Sequence, residues 1–131
     1  MRYLLDTNVL IALTKEHQGV KQNAILAGLD NCSISEITLA ELLYGAYKGG
    51  FDRHQREIAF FKDNFKILPI GPCLNDFGKI KSEMWKRGKR IDNFDLLIAA
   101  TAITSDLTLV THNTKHFKCI PGLTVIDWEQ E

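Results

Sequence analysis

Five short runs of strand character, each stopped by a polar residue or a turn and separated from the next by helical periodicity, constrain this chain more than any other feature. They are Arg2–Leu5, Cys32–Ser35, Lys66–Ile70, Thr108–Thr111 and Leu123–Ile126. Short strands that are for the most part continuous apolar runs are buried on both faces, and helical crossovers between them produce a parallel sheet. The intervening helices are read over Val9–Lys15, entered through Thr7 and Asn8, then over a stretch ending near Gly28, and over Thr38–Tyr47, stopped by Gly49 and Gly50. Arg53–Phe65 follows with Ile58, Phe61 and Phe65 on one side, and after a Gly71-Pro72 turn Leu74, Phe77, Ile80 and Met84 mark another helix. Leu96–Ile103 is apolar nearly all round, which predicts a helix buried in the middle of the protein. The expected fold is α/β, three-layered, with a mostly parallel central sheet flanked by helices.

With 131 residues and neither linker nor repeat, the expectation is a single domain over 1–131. Sixteen basic and sixteen acidic side chains cancel, which excludes a protein that coats nucleic acid through a global field; binding to RNA must be local. Cys32, Cys73 and Cys119 show no paired spacing and read as small buried hydrophobes in a reducing compartment. The apolar stretch Tyr3–Leu13 is interrupted by Asp6 and Asn8 and is too short to span a bilayer, so a cytoplasmic protein with no membrane contact is expected.

In open parallel sheets the functional crevice lies beyond the carboxyl ends of the strands, which directs attention to Asp6 and Asn113. Glu41, early in a helix, and Asp95, opening the buried helix, complete a candidate set. Each has a capping explanation as well. Asp6 and Asn8 suit a helix start, Thr38-x-x-Glu41 matches a capping box, and Asp92-x-x-Asp95 suits the start of the buried helix. Yet Asp6 and Asp95 sit in the most apolar segments, where an unpaired carboxylate is costly. Carboxylates about 4 Å apart repel by about 4 kcal/mol per pair at an effective dielectric near 20, so a converging set must take up protons or a cation. Oxygen-only donors select Mg²⁺ or Mn²⁺.

Leu4-Leu5-Asp6-Thr7-Asn8, Ser33-Ile34-Ser35 with Thr38-Leu39-Ala40-Glu41-Leu42 to Gly45, and Gly88 through Asn93-Phe94-Asp95-Leu96-Leu97-Ile98-Ala99 resemble the successive motifs of PIN-domain ribonucleases. Leu109-Val110-Thr111-His112-Asn113-Thr114-Lys115-His116-Phe117, followed by Pro121-Gly122-Leu123 and Asp127-Trp128, resembles the ending of VapC-type toxins. The resemblance implies a PIN fold and a Mg²⁺- or Mn²⁺-dependent endoribonuclease. It further implies the toxin of a type II toxin-antitoxin pair: a homodimer, or a toxin-antitoxin hetero-oligomer, neutralised by a VapB-like antitoxin whose C-terminal tail covers the site. Asp6, Glu41 and Asp95 are then the metal-binding acids, Thr7, Asn8 and Thr111 hold the cluster, and Asn113 takes a fourth catalytic position where many relatives carry an acid. Asp92, one turn before Asp95, is read as a cap rather than a ligand.

Hydrolysis at such a site yields 5′-phosphate and 3′-hydroxyl ends, with Asp95 or Glu41 as the candidate general base. Lys79, Lys81, Lys86, Arg87, Lys89 and Arg90, with Glu83 as the one acid among them, form a basic approach for RNA or simply a solvated face. Trp85 either packs or offers a stacking surface. His112-x₃-His116-x₂-Cys119 has partial zinc-site spacing and lacks a fourth ligand. A receiver-type phosphoacceptor is disfavoured because Lys66–Ile70 ends without a carboxylate, and a haloacid-dehalogenase-like phosphatase because Asn8 stands where D-x-D chemistry needs an acid. The non-enzymatic alternative is a PIN-like module that binds RNA or protein with a weakened metal site, for which Asn113 is the main support.

Overall fold

The computed structural model describes residues 1–130. Five strands, β1 (Tyr3–Leu5), β2 (Cys32–Ser35), β3 (Lys66–Leu68), β4 (Thr108–Val110) and β5 (Val125–Ile126), form one sheet in the order β3-β2-β1-β4-β5. Every pairing is parallel, with Leu4 opposite Ser33 on one side and Leu109 on the other. The helices are α1 (Thr7–Thr14), α2 (Gln18–Ala27), α3 (Glu36–Gly49), α4 (Phe51–Asn64), α5 (Leu74–Lys86), α6 (Asn93–Thr104) and the one-turn α7 (Thr114–Phe117).

Alternation along the strands sorts the core into two halves. Leu5, Ile34 and Val110 point to one face and pack with Val9, Leu10, Val20, Ala24, Phe61 and Phe65 from α1, α2, α4 and the residue after it. Leu4, Leu68 and Leu109 point to the other and pack with Ile80, Met84 and the apolar length of α6. Both faces of the sheet are thus covered, giving the expected three layers and explaining why these strands carry no exposed polar face. Helix α6 is apolar all round because α5, α3 and β4 surround it; Ile98, Ala99 and Ala100 are wholly buried.

Local chemistry moves several boundaries from where periodicity alone set them. Helix α3 begins at Glu36, capped by the Ser35 hydroxyl, which accepts from Ile37 N at 3.0 Å. Thr38 and Glu41 therefore lie inside the helix, and the Thr38-x-x-Glu41 capping box does not form; the Thr38 hydroxyl is buried without a hydrogen-bond partner. Gly50, at φ +106°, turns the chain directly from α3 into α4, so α4 starts two residues before Arg53. Strand β3 is an edge strand, whereas the central strand β1 does end in a carboxylate, Asp6. The receiver-type order, which needs β3 at the centre, is excluded by this topology.

Ile98→Ala in the enclosed α6 is expected to cost about 2–5 kcal/mol of unfolding free energy. Ile25→Ala, at a side chain 68% exposed, is expected to stay within about 0.5 kcal/mol. Urea denaturation of both variants checks the pair.

Candidate functional site

From β1 the chain steps outward through β2 to β3, then returns through α5 and α6 to place β4 on the other side of β1. Connections leave β1 and β4 in opposite directions, which opens a crevice at their carboxyl ends. Asp6 and Thr111 are the residues that immediately follow these two strands, and Asp6 N donates to Val110 O at 2.9 Å across the gap.

Asp6 is only 5% exposed and is engaged at both oxygens. Oδ1 accepts from Thr7 N at 2.8 Å, which caps α1; Oδ2 accepts from the Thr111 hydroxyl at 2.8 Å and from Asn8 Nδ2 at 3.4 Å. Thr111 Oγ1 in turn accepts from Asn8 Nδ2 at 3.2 Å and from Asn113 N at 3.1 Å, while Asn8 Oδ1 accepts from His112 N at 3.1 Å. Asn8 and Thr111 thus both contact the Asp6 carboxylate and each other. Asn8 is an internal residue of α1, not its cap.

Helix α3 brings Glu41 to the same crevice, where Oε1 accepts from the Thr7 hydroxyl at 2.7 Å. Helix α6 brings Asp95 from its first turn, and His116 Nε2 meets Asp95 Oδ2 at 3.0 Å. Burial first, then the Asp95 charge, push the Asp6 carboxyl above its ordinary range, against the lowering pull of the Thr111 and Thr7 donors and His116. Burial likewise raises Glu41, opposed by its Thr7 hydrogen bond and reinforced by the charges of Asp6, Asp95 and Asp92. Asp95 is raised by burial, which outweighs the neighbouring His116. Each acid feels another, so the three share one electrostatic neighbourhood.

Their spacing is more open than a closed cluster. Among the described residues, the trio whose ligand atoms all lie within 4.8 Å of one another is His112, Asp127 and Glu129, not the three acids. The physical reason is that each acid has its own donor: Asp6 is held by Thr111, Glu41 by Thr7 and Asp95 by His116. The donor set fits a hard divalent cation nonetheless. It consists of carboxylate oxygens whose ionisation burial and mutual repulsion oppose, and a cation relieves both.

Asn113 is exposed at the start of α7, joined to the site by its backbone, and its side chain does not cap the helix. Asp92 does cap α6, accepting from Phe94 N at 3.0 Å. His116 is the residue that spacing did not single out as part of this site; only its place in the VapC-type ending marked the stretch. The zinc-like pattern is dispersed: His112 turns to Asp127 and Glu129, His116 to Asp95, and Cys119 Sγ lies against His116 O. Cys32 behaves as a buried apolar group, its thiol pushed up to about 11 by burial.

Lys79, Lys81, Lys86, Arg87, Lys89 and Arg90 are all exposed along the end of α5 and the turn leading to α6. Among the described residues no Lys or Arg forms an ion pair with a carboxylate, so this charge is not neutralised locally. Lys81 Nζ donates to Asn93 Oδ1 at 2.9 Å. Trp85 is 62% exposed and does not pack in the core; the Arg90 guanidinium lies 3.6 Å from its ring centroid.

The parallel sheet, with buried Asp6 and half-buried Glu41 and Asp95 around the crevice at its switch point, places the protein in the α/β class with an acidic site. Residues 3–123 match the PIN domain family. The chain is 36% identical to ribonuclease VapC2 of Rickettsia felis over 99% of its own length and 100% of that protein's. It is 30% identical to the tRNA(fMet)-specific endonuclease VapC of Shigella flexneri, covering 98% of each. The crystal structure of VapBC2 from Rickettsia felis, bound to a DNA fragment from the promoter, superposes with a TM-score of 0.90 at 36% identity, covering 98% of this chain and 99% of that one. The chain belongs to the PIN-domain family, in its VapC branch.

With the folded-state carboxyls of Asp6, Glu41 and Asp95 raised, the native chain holds protons that the unfolded chain has released. Stability contributed by these groups therefore falls as pH rises from the unfolded towards the folded values, and the penalty is complete above the latter. In EDTA, Asp95→Asn, whose amide oxygen still accepts from His116 Nε2, is expected to raise Tm at neutral pH, with the gain vanishing below the ordinary carboxylate range. Calorimetry across pH checks this, and a lower neutral-pH Tm for the variant would contradict it.

Proposed function

We propose that this protein is a Mg²⁺- or Mn²⁺-dependent endoribonuclease acting as the toxin of a VapBC-type toxin-antitoxin pair. The observation that carries the reading is the crevice joining Asp6, Glu41 and Asp95 in a chain that aligns almost end to end with named VapC ribonucleases.

In this reading Asp6, Glu41 and Asp95 hold the cation, which supplies Lewis acidity to water and to the scissile phosphate when bound. Thr7, Asn8 and Thr111 fix the acids, and Asn113 borders them as a neutral fourth group. Asp6 is a ligand and not the base, since both its oxygens already accept hydrogen bonds. Among the described residues, Glu41 and Asp95 each have one oxygen without a protein donor, and each has a raised affinity for protons, so the base that takes the proton from water is one of these two. His116 orients Asp95. The unpaired cations from Lys79 to Arg90 draw the RNA backbone towards Asp95, positioning it without reading sequence.

An antitoxin partner is supported by the VapBC complexes among the structural relatives. It is supported too by a cleft of about 610 Å³ that lies away from the acids and is lined by Leu13, Ala24, Ile25, Leu29, Phe60 and Phe65. Ile25 and Phe60 are exposed there, an apolar surface of the kind a partner covers. We assign the assembly as a homodimer that joins the antitoxin in a hetero-oligomer. The setting is cytoplasmic, in keeping with three free cysteines; among the described residues no helix is long and apolar enough to cross a membrane. The second reading, an RNA- or protein-binding module, draws on Asn113 and on the open spacing of the acids.

Incubation of a labelled structured RNA with the protein in Mg²⁺ or Mn²⁺ is expected to give cleavage that EDTA and Asp95→Asn each abolish. Intact RNA across several substrates, with folded protein, moves the binding-module reading ahead. Replacing Lys86 and Lys89 together with Ala is expected to weaken binding to single-stranded RNA and to reduce the slope of log K against log salt by roughly 1.4. Filter binding at several ionic strengths measures that slope.

A further inference from the structure

We propose that His112, Asp127 and Glu129 form a second cation site, separate from the acid crevice, that takes a borderline transition metal of the Zn²⁺ class and pins the segment after β5 to the loop after β4. His112 Nδ1 lies 3.2 Å from Asp127 Oδ2 and 3.1 Å from Glu129 Oε2, and the three ligand atoms all lie within 4.8 Å of one another. An imidazole nitrogen carries at most one hydrogen, directed in the ring plane, so it cannot give good hydrogen bonds to two carboxylates at once. A cation among the three atoms satisfies both acids together. Tetrahedral Zn²⁺ with bonds of about 2.0–2.1 Å separates its ligand atoms by about 3.3 Å, close to both nitrogen-oxygen distances found here.

The donor set differs from that of the crevice. One imidazole nitrogen with two carboxylate oxygens favours Zn²⁺ or a similar ion over Mg²⁺, which takes oxygen almost alone. Three protein ligands leave a fourth position open.

The surroundings hold the ligands in place. His17 Nδ1 accepts from Val20 N at 3.3 Å, so in the neutral ring the proton sits on Nε2, which faces Glu129 Oε1 at 3.4 Å. His17 therefore orients Glu129 from behind and leaves Oε2 for the ion, as outer partners of metal ligands do. The Asp127 side chain is 8% exposed, and its Oδ1 accepts from Glu129 N at 2.8 Å, leaving Oδ2 to His112. Trp128, between the two acids, is buried; its carbonyl accepts from Asn23 Nδ2 at 3.1 Å and its ring packs edge-on against Tyr3 at 5.3 Å. The His112 ring is 56% exposed, which leaves a path for an ion to enter. Because His112 N donates to Asn8 Oδ1, an ion held here also stiffens the loop that carries Thr111 and Asn113.

The test uses the full chain without a histidine tag, carrying Asp95→Asn so that the crevice is weakened. Competition with a chromophoric chelator is expected to show one tightly held Zn²⁺ per chain, with a rise in Tm on Zn²⁺ addition. His112→Ala and, separately, Glu129→Gln in that background are each expected to weaken Zn²⁺ at least about ten-fold. His116→Ala should leave it unchanged. Glu129→Gln keeps the shape of the segment, so loss of metal there with unaltered circular dichroism separates ligation from misfolding. Equal Zn²⁺ affinity in the His112 variant, loss through His116 instead, or no tight Zn²⁺ in the parent chain each overturns the proposal.

Discussion

The hydroxyl of Thr111 donates to Asp6 Oδ2 across the point where the sheet reverses its order, and most of the site is arranged around that bond. Thr111 is wholly buried, so its hydroxyl has no water to fall back on and must find partners in the protein. It finds three: the carboxylate of Asp6, the amide of Asn8 and the backbone N–H of Asn113. The end of β4, the first turn of α1 and the start of α7 are thereby held in one network. Asp6 is left facing the crevice with its orientation set from both sides. Loss of the hydroxyl would leave a buried carboxylate with one donor fewer, which is costly in a region so poor in water.

Burial of acids and exposure of bases are two halves of one electrostatic arrangement. The three carboxylates are kept where ionisation is opposed, while the cations between Lys79 and Arg90 stand in solvent without acidic partners. A net charge of zero conceals this separation. In the proposed function, a phosphodiester approaching along α5 would meet unpaired positive charge first, and then the acids that would hold the cation. The stability cost carried by the acids is the kind of local conflict that functional sites retain and the surrounding core tolerates.

Much of this was legible in the sequence because burial on both faces leaves a plain mark. Runs such as Tyr3–Leu5 and Thr108–Val110 announce parallel strands, and the all-round apolar Leu96–Ile103 announces an enclosed helix. Turn chemistry was legible too, at Gly49-Gly50 and at Asp92. Boundaries that depend on one competing hydrogen bond were not: Ser35 captures the cap of α3 and displaces the Thr38-x-x-Glu41 box, although both patterns suit a helix start. Trp85, near the end of α5, is decided by Arg90 in the turn that follows, whose stacking no periodicity encodes.

Residue types and local order determined that this chain forms an α/β sheet, that acids follow or enter its most apolar elements, and that no global charge drives binding. Those properties reside in short windows, where hydrophobic pattern and caps act. Only the tertiary structure decided that β1 is central, that His116 lies on Asp95, and that His112 meets Asp127 and Glu129 instead of its sequence neighbours. These pairings join segments far apart in the chain. They are set by the strand order and by the direction in which each buried backbone leaves the sheet, which no local spacing specifies.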